Sequence, residues 1–451
     1  MAHYNKDSYP PLIGGESQQI DQDRHENQVA RMVNMLPDAV SGIRRRGGFE
    51  FLTDLSFMSL PYMQHITVAE REYLLLIEPG AFGRLRIYDI AQKSMTYDAV
   101  HEYLKGSGIS DLDFVTHQDE LFILNRSKVV AKQTVPSTGP NPARNGYFVV
   151  VAGSFTMAFN VGLKIGGTRT LVTYTTPDSG ADKAQPEYIA EKLVEAAEAD
   201  ATIGTAAGFT WTRLGANVHV TGSTDFSVTS DLPGVYMRVS NSSNVKDTVE
   251  LAAKLPDSAD GMVIRTGTKL ASAYWQWVAE TQQWNETCAW GSDVRFTNLP
   301  LRLTPNGGAW SLNEIPQTGR MSGDAQNNPD PSFAGRKITG IGSFQGRLVF
   351  LSGDSVSMSA SNEIGHWYRV SVTSLADSDT IDAQGTTTSG VNYRFAVPLD
   401  GDLILFSATQ QSTITGRAVV TPKNISLAPS GMLPMIPTIK PVHTGRGLLL
   451  A

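Results

Sequence analysis

The chain has 451 residues, 41% of them hydrophobic, with 37 basic against 44 acidic side chains for a net charge of −7, and a single cysteine, Cys288. That apolar content excludes a disordered chain, and the acidic balance argues against gripping nucleic acid through its phosphates. One cysteine excludes an intramolecular disulfide and points to synthesis in a reducing compartment. Charged residues make up only 18%, while glycine reaches 41 and proline 23, a mix that predicts many short strands and turns in about two or three domains.

Met1 to Pro10 is polar and lacks the apolar core of a signal peptide. The aliphatic run Leu74 to Ile77 is far short of the roughly 20 residues that span a bilayer, so no membrane-crossing segment is expected. Residues 1–42 read as an N-terminal arm. Within it, Val29, Met32, Val33 and Leu36 fall at helical spacing and Pro37 follows as a stop, which predicts a short amphipathic helix over Asp21 to Leu36. That helix either packs on its own domain or docks on a neighbouring molecule. The one dense basic cluster is Arg44, Arg45 and Arg46, before Gly47-Gly48. Adjacent arginines on a strand alternate faces and cannot all grip one phosphate run. They are either an ion-pairing anchor to an acidic partner or to DNA, or a solvated strand edge that discourages aggregation.

From about Ile43 the pattern is that of strands, and one local design recurs. Asp113 to Asn125 (DFVTHQDELFILN), Gly340 to Ser352 (GIGSFQGRLVFLS) and Phe395 to Ser407 (FAVPLDGDLILFS) each run from an apolar strand end through a tight polar turn into a strongly apolar strand. Thr67 to Glu78 (TVAEREYLLLIE) is a looser fourth copy. Small sheets of this kind bury their faces only when packed radially or in a stack. The expected fold is therefore mainly β: an incomplete or irregular β-propeller, its first part at 43–135 and its second at 256–451. Further hairpins are expected at Tyr274 to Thr287 and around Asn306-Gly307. Residues 136–255 break the rhythm. They predict a long hairpin over Tyr147 to Thr175 turning at Gly166-Gly167, and a helix over Ala184 to Asp200 with Asp182 or Gln185 as its cap. Strands at Thr210 to Thr221 and Val235 to Ser240 and a short helix over Asn244 to Leu255 complete a small α+β insertion, expected between two of the repeats.

Candidate chemistry is sparse. Asp377, Asp379 and Asp382 form the densest acidic cluster, but lack the glycine and closing glutamate of a calcium loop and read as a structural turn. A two-carboxylate hydrolase would draw on Asp111, Asp113, Asp119, Glu120 and Asp324. The histidines lack zinc spacing, Cys288 has no thiol partner, and the glycine-rich stretches carry neither a Walker nor a dinucleotide signature. No catalytic residue, cofactor or metal is expected.

Several segments, taken in order, carry a resemblance. They are GGESQQ (Gly14 to Gln19), GIRRRGG (Gly42 to Gly48), NETCAWG (Asn285 to Gly291), NLPLRL (Asn298 to Leu303) and GRMSGDAQNNPDPSFAGRKI (Gly319 to Ile338). QGRLVFLSGDSVSMSAS (Gln345 to Ser361), DSDTID (Asp377 to Asp382), DGDLILFSATQQSTI (Asp400 to Ile414) and Thr421-Pro422 follow. In this order the chain resembles the tail tubular protein B, or tail nozzle, family of short-tailed podophages, with Arg46 and Gly47 in place of that family's Lys-Arg-Pro ending. The resemblance implies a virion component assembled in the host cytoplasm, a homohexameric tube beneath the tail adaptor or gatekeeper. Genomic DNA would leave through its lumen, with tail fibres attached at the junction. It implies no enzyme activity. On this reading the net charge of −7 leads to the expectation that acidic residues line the channel, and Gln18, Gln19, Arg44, Arg45 and Arg46 are expected at the adaptor interface. Family members continue past Gly445 to Ala451, so the chain is expected to be a truncated member or to have its distal part supplied by another polypeptide. Two rival functions remain: a capsule-degrading tail hydrolase using residues such as Asp324 and Asp377, or a fibre- or receptor-docking module without a channel.

Overall fold

The computed structural model describes residues 12–40, 42–49, 51, 61–240, 245–306, 309–385, 390–444 and 447–450. The chain divides into two units, Met1–Met58 and Ser59–Ala451.

In the first unit the ordered pairing is a two-stranded antiparallel ribbon, Met35–Asp38 against Gly42–Arg45. The helix expected over Asp21 to Leu36 does not form. Its apolar stripe has no surface to bury against, since Val33 and Leu36 are exposed, and a helix of that length is marginal without such packing. The backbone takes other partners instead. Glu16 bridges Val29, Asn34 adopts a positive φ of 56°, and residues 35–38 pair as a strand.

Among the described residues the second unit contains five four-stranded antiparallel sheets, one in the α+β segment and four, numbered I to IV, built on the repeated hairpins. Sheet I is Tyr62–Val68, Arg71–Glu78, Arg84–Asp89 and Ser94–Val100. Sheet II is Leu112–His117, Glu120–Asn125, Leu301–Asn306 and Ala309–Glu314. Sheet III is Gly340–Phe344, Arg347–Ser352, Ser355–Met358 and Ile381–Gln384. Sheet IV is Phe395–Leu399, Asp402–Phe406, Gln411–Ile414 and Leu427–Gly431. Each opens with one of the four repeated hairpins. All four hairpins close through a two-residue turn whose central residues both have positive φ: Ala69-Glu70, Gln118-Asp119, Gln345-Gly346 and Asp400-Gly401. This is the type I′ geometry, whose twist matches that of the flanking strands.

The strongly apolar second strands follow from burial on both faces, which replaces alternation with a continuous apolar run. Leu121 and Ile123 face sheet I, packing with Leu75, Ile77, Leu85 and Ile87, while Phe122 and Leu124 face sheet III, with Ile341, Leu348 and Phe350. Val349 and Leu351 in turn meet Leu403 and Leu405 of sheet IV. The opening strands lie side by side in the order I, II, III, IV. The ring of Tyr62 stacks on Phe114 at 4.8 Å, and Gly340–Phe344 lies beside both Leu112–His117 and Phe395–Leu399.

The α+β segment is inserted within sheet II, because Glu120–Asn125 pairs with Leu301–Asn306. The expected position between two repeats is thus replaced by one inside a sheet, and the neck is closed by Ala131–Thr134 pairing with Val294–Thr297. The helix forms at Pro186–Ala199, capped by Gln185 through backbone geometry alone, and buries Ile189, Ala190, Leu193 and Ala197. The hairpin turning at Gly166-Gly167 is Ala158–Ile165 with Thr168–Thr175. Tyr147 lies in a different sheet, on Asn145–Val150, which pairs with Asn217–Gly222 and Met237–Ser240. Of the helix expected over Asn244 to Leu255, Asn244 lies outside the described residues and only a 3-10 turn, Thr248–Glu250, is present. There Leu251, Ala252 and Leu255 enter a core with Tyr147, Met262 and Trp277. The Ala252 amide donates to the Tyr147 hydroxyl and its carbonyl accepts from Trp284, so tertiary partners replace helical ones.

Candidate assembly interface

Gln18, Gln19, Arg44, Arg45 and Arg46 are all exposed side chains of the first unit. The loop holding the glutamines is ordered locally: the Gln19 amide donates to Ser17 Oγ, and Arg24 Nη2 donates to the Gln19 carbonyl at 2.8 Å. On the ribbon, Leu36 opposes Arg44 and Met35 opposes Arg45. Arg44 Nε lies 3.5 Å from Asp38 Oδ2, and the Arg46 guanidinium lies 4.6 Å from the centre of the Phe49 ring. The three arginines are thus split among an ion pair, a solvent-facing position and a cation–π contact, in keeping with strand alternation. The same unit exposes Ile20, Val33, Met35, Leu36, Val40 (95%), Phe49 (91%) and Phe51. Isolated apolar residues on a surface are ordinary, but this density beside an arginine cluster is the composition of an interface.

The second unit holds one cluster of charges in its interior. Arg126, next to the end of the second strand of sheet II, is buried and donates to Asp113 Oδ2 at 2.6 Å, to the Leu112 carbonyl, and to the Thr339 carbonyl before sheet III. Its guanidinium also lies 5.3 Å from the Phe395 ring of sheet IV. Lys440 adds a second cation, 3.1 Å from Asp113 Oδ1, and donates to the Phe114 carbonyl. Burial pulls the Arg126 pKa below its ordinary value, opposed by the Asp113 carboxylate. One buried cation therefore ties three sheets together. Nothing in the sequence marks Arg126 except its place just after an apolar run.

Most of the carboxylates considered for chemistry have structural partners, while Asp119 is an exposed turn residue. Asp324 accepts from the Tyr274 hydroxyl and from the Gln326 amide, both at 2.8 Å, and Glu120 is held by Arg302 Nε at 2.7 Å. The three aspartates of the acidic cluster diverge. Asp377 pairs with Lys423, Asp379 accepts from the Ala376 amide, and Asp382 accepts from Ser332 and Ser357. Asp330, absent from the sequence reading, holds Lys132, Arg320 and the Tyr368 hydroxyl. Burial opposes its ionisation, but these donors hold its pKa below the usual carboxylate value. Among the described residues no group of three or more His, Cys, Asp or Glu side chains is placed to hold a metal ion, and no helix is long and apolar enough to cross a membrane.

The first unit thus presents exposed arginines and apolar side chains, and the second packs its sheets around a buried ion pair. Comparison with known proteins identifies the family. The model of the bacteriophage nozzle protein family matches residues 1–451. The chain belongs to the bacteriophage nozzle protein family. It is similar to the tail tubular protein gp12 of Escherichia phage T7, with 27% identity over 468 aligned residues that cover 98% of this chain. The chain spans 57% of the length of that relative. A solved structure, apo AztD from Citrobacter koseri, aligns over 74% of this chain and 75% of its own at 6% identity and a TM-score of 0.17, too low to bear on the fold. Membership in the nozzle family makes this chain a structural phage tail protein and a component of the virion.

Proposed function

We propose that the chain is the repeating subunit of a tail nozzle: a homohexameric ring or tube beneath the tail adaptor, through whose lumen phage DNA leaves for the host, with tail fibres attached at the junction. The observation that carries this reading is the nozzle-family match along all 451 residues. In this reading the four sheets are blades of an irregular propeller. Their common type I′ opening hairpins and the side-by-side order of their first strands support it. Residues 1–42 are the arm, 43–135 and 256–451 the two parts of the propeller, and 136–255 the inserted domain. Gln18, Gln19, Arg44, Arg45 and Arg46 meet the adaptor.

A ring of this kind uses head-to-tail contacts, one patch meeting a different patch on the next copy. Six copies at −7 each carry roughly −42, a field that would repel phosphates and let DNA slide without sticking. Negative-stain images of the purified oligomer, viewed end-on, are the direct test. A sixfold ring with a central hole is expected; a stable monomer by native mass spectrometry, even with the adaptor present, would overturn the proposal. A cryo-EM map with a basic channel wall would overturn the acidic lumen alone.

A further inference from the structure

Resting on the reading of the first unit as an assembly interface, we infer that its anchor is one face of the Met35–Asp38/Gly42–Arg45 ribbon, with Arg45 as the recognising charge. The partner surface is apolar and carries a carboxylate, and it belongs to a different tail polypeptide.

Residues directly opposite each other in an antiparallel pair share a face, and successive residues alternate between faces. The register Met35 to Arg45, Leu36 to Arg44, Pro37 to Ile43 and Asp38 to Gly42 sorts the ribbon into two sides. One side holds Leu36, Asp38, Gly42 and Arg44, and there the ion pair between Arg44 and Asp38 neutralises the cation within the molecule. The other holds Met35, Pro37, Ile43 and Arg45. It has three apolar side chains, no carboxylate, and an exposed arginine with no ion-pair partner among the described residues. Arg46 is occupied differently, over the Phe49 ring. The three arginines that look equivalent in sequence therefore differ in availability, and Arg45 is the one left to bind outward.

The two exposed side chains at the open end of that face, Met35 and Arg45, are direct cross-strand neighbours. Methionine and arginine are both enriched in protein interfaces, and arginine's planar fork grips a carboxylate with two parallel hydrogen bonds. A two-stranded ribbon is marginal by itself in water, so a partner that covers this face also orders it. An acidic, partly apolar surface satisfies the charge and the exposed apolar area together. A basic surface or a bare phosphate run satisfies only one of them or neither.

The test uses the full chain and the purified adaptor ring of the same phage as probe, with binding read by biolayer interferometry at 50 and 300 mM NaCl (about a 2.4-fold change in Debye length). The variants are R45Q, R44Q, M35S and the triple R44Q/R45Q/R46Q, all at exposed positions. R45Q and M35S are expected to weaken binding by about fivefold or more and R44Q by less than about twofold, each tenfold being about 1.4 kcal/mol. The salt sensitivity of the wild type is expected to shrink in R45Q. Equal losses for R44Q and R45Q, or no loss for R45Q while the triple variant fails to bind, would overturn the assignment of Arg45 and leave the interface reading standing. Full binding by the triple variant would overturn that reading itself. If R45Q leaves adaptor binding intact but breaks self-association in sedimentation velocity, the occupant is a second copy and the inferred partner is wrong.

Discussion

His219 makes the stability of the inserted segment depend on pH in a way that can be worked out from its surroundings. The side chain is 1% exposed on the strand Asn217–Gly222, and both ring nitrogens are engaged. Nε2 lies 3.1 Å from Asn145 Oδ1, so it carries the proton, and Nδ1 lies 3.0 Å from Ser258 Oγ, so it accepts. The neutral ring fits this arrangement, and burial pulls its pKa from 6.5 to about 4. Because the unfolded chain then binds more protons than the folded one between these values, stability rises with pH through the window and is lost as pH falls from about 6.5 to about 4. At about 1.4 kcal/mol per pKa unit, His219 contributes a loss of about 2 kcal/mol between pH 7 and pH 5, and about 3 kcal/mol once fully protonated. Since Asn145 lies at the start of the segment's first strand and Ser258 beyond its last, opening should begin at this junction. The assay is amide hydrogen exchange by mass spectrometry on peptides covering 217–222, from pH 7 to 4.5 with correction for intrinsic exchange, in wild type and His219→Gln. Wild type should lose protection across that range, and the variant, whatever its starting stability, should lose less by a difference of about 2 kcal/mol at pH 5. Identical pH slopes in the two proteins would refute the assignment of a buried neutral histidine.

The buried pair at the centre of sheets II to IV should behave as a unit. Arg126→Met leaves Asp113 buried with only the partly exposed Lys440, and should cost about 3 to 5 kcal/mol in urea unfolding. Asp113→Asn/Arg126→Met should recover part of that loss, and an additive double variant would argue against direct coupling. The turn Ala69-Glu70 places two non-glycine residues at φ of 49° and 61°. Replacing them by Asn-Gly, which suits a type I′ turn, should stabilise the protein by up to about 1 kcal/mol, read as a raised unfolding midpoint. No change would mean that the flanking strands set this turn irrespective of its residues.

The sheet-opening hairpins were legible because burial on both faces leaves a signature that survives in sequence: Leu121 to Leu124, Leu348 to Leu351 and Leu403 to Phe406 are unbroken apolar runs after a polar turn. The helix Pro186–Ala199 was legible for the complementary reason, since one apolar stripe meets one core. What escaped the sequence is non-local. Sheet II takes one central and one edge strand from beyond a long excursion, so the pairing of Leu121 with Leu303 across the sequence is invisible to local periodicity. The expected helix in the arm failed where a stripe had no surface to cover. The arginine cluster was visible as a cluster, but which arginine is free depends on Asp38 and Phe49, partners that only the ribbon's register and the following turn bring within reach.

The distribution of polarity over the sheets bears on where this subunit can make contacts. Sheets II and III are apolar on both faces and are consumed by the stack. Sheet I is different: on its face away from sheet II, Arg84 Nε donates to Asp98 Oδ1 at 2.7 Å, with Arg86 Nε 3.5 Å from the same carboxylate. Arg84 and Asp98 are partly exposed, whereas Arg86, Leu76 and Tyr88 are buried; the exposed pair contributes little to stability, but charge on a sheet face resists unplanned apolar association. Sheet IV turns Ile404 and Phe406 away from sheet III, and there Met435, Leu448 and Leu450 cover them. The second unit thus buries most of its sheet faces within itself, while exposing apolar side chains such as Met63, Val249, Leu270, Val419 and Met432. The first unit combines such exposure, at Met35, Val40, Phe49 and Phe51, with Arg45, which has no ion-pair partner among the described residues. A subunit that must join others in one register gains specificity when its outward-binding chemistry is confined to a short segment, because fewer surfaces can then pair wrongly.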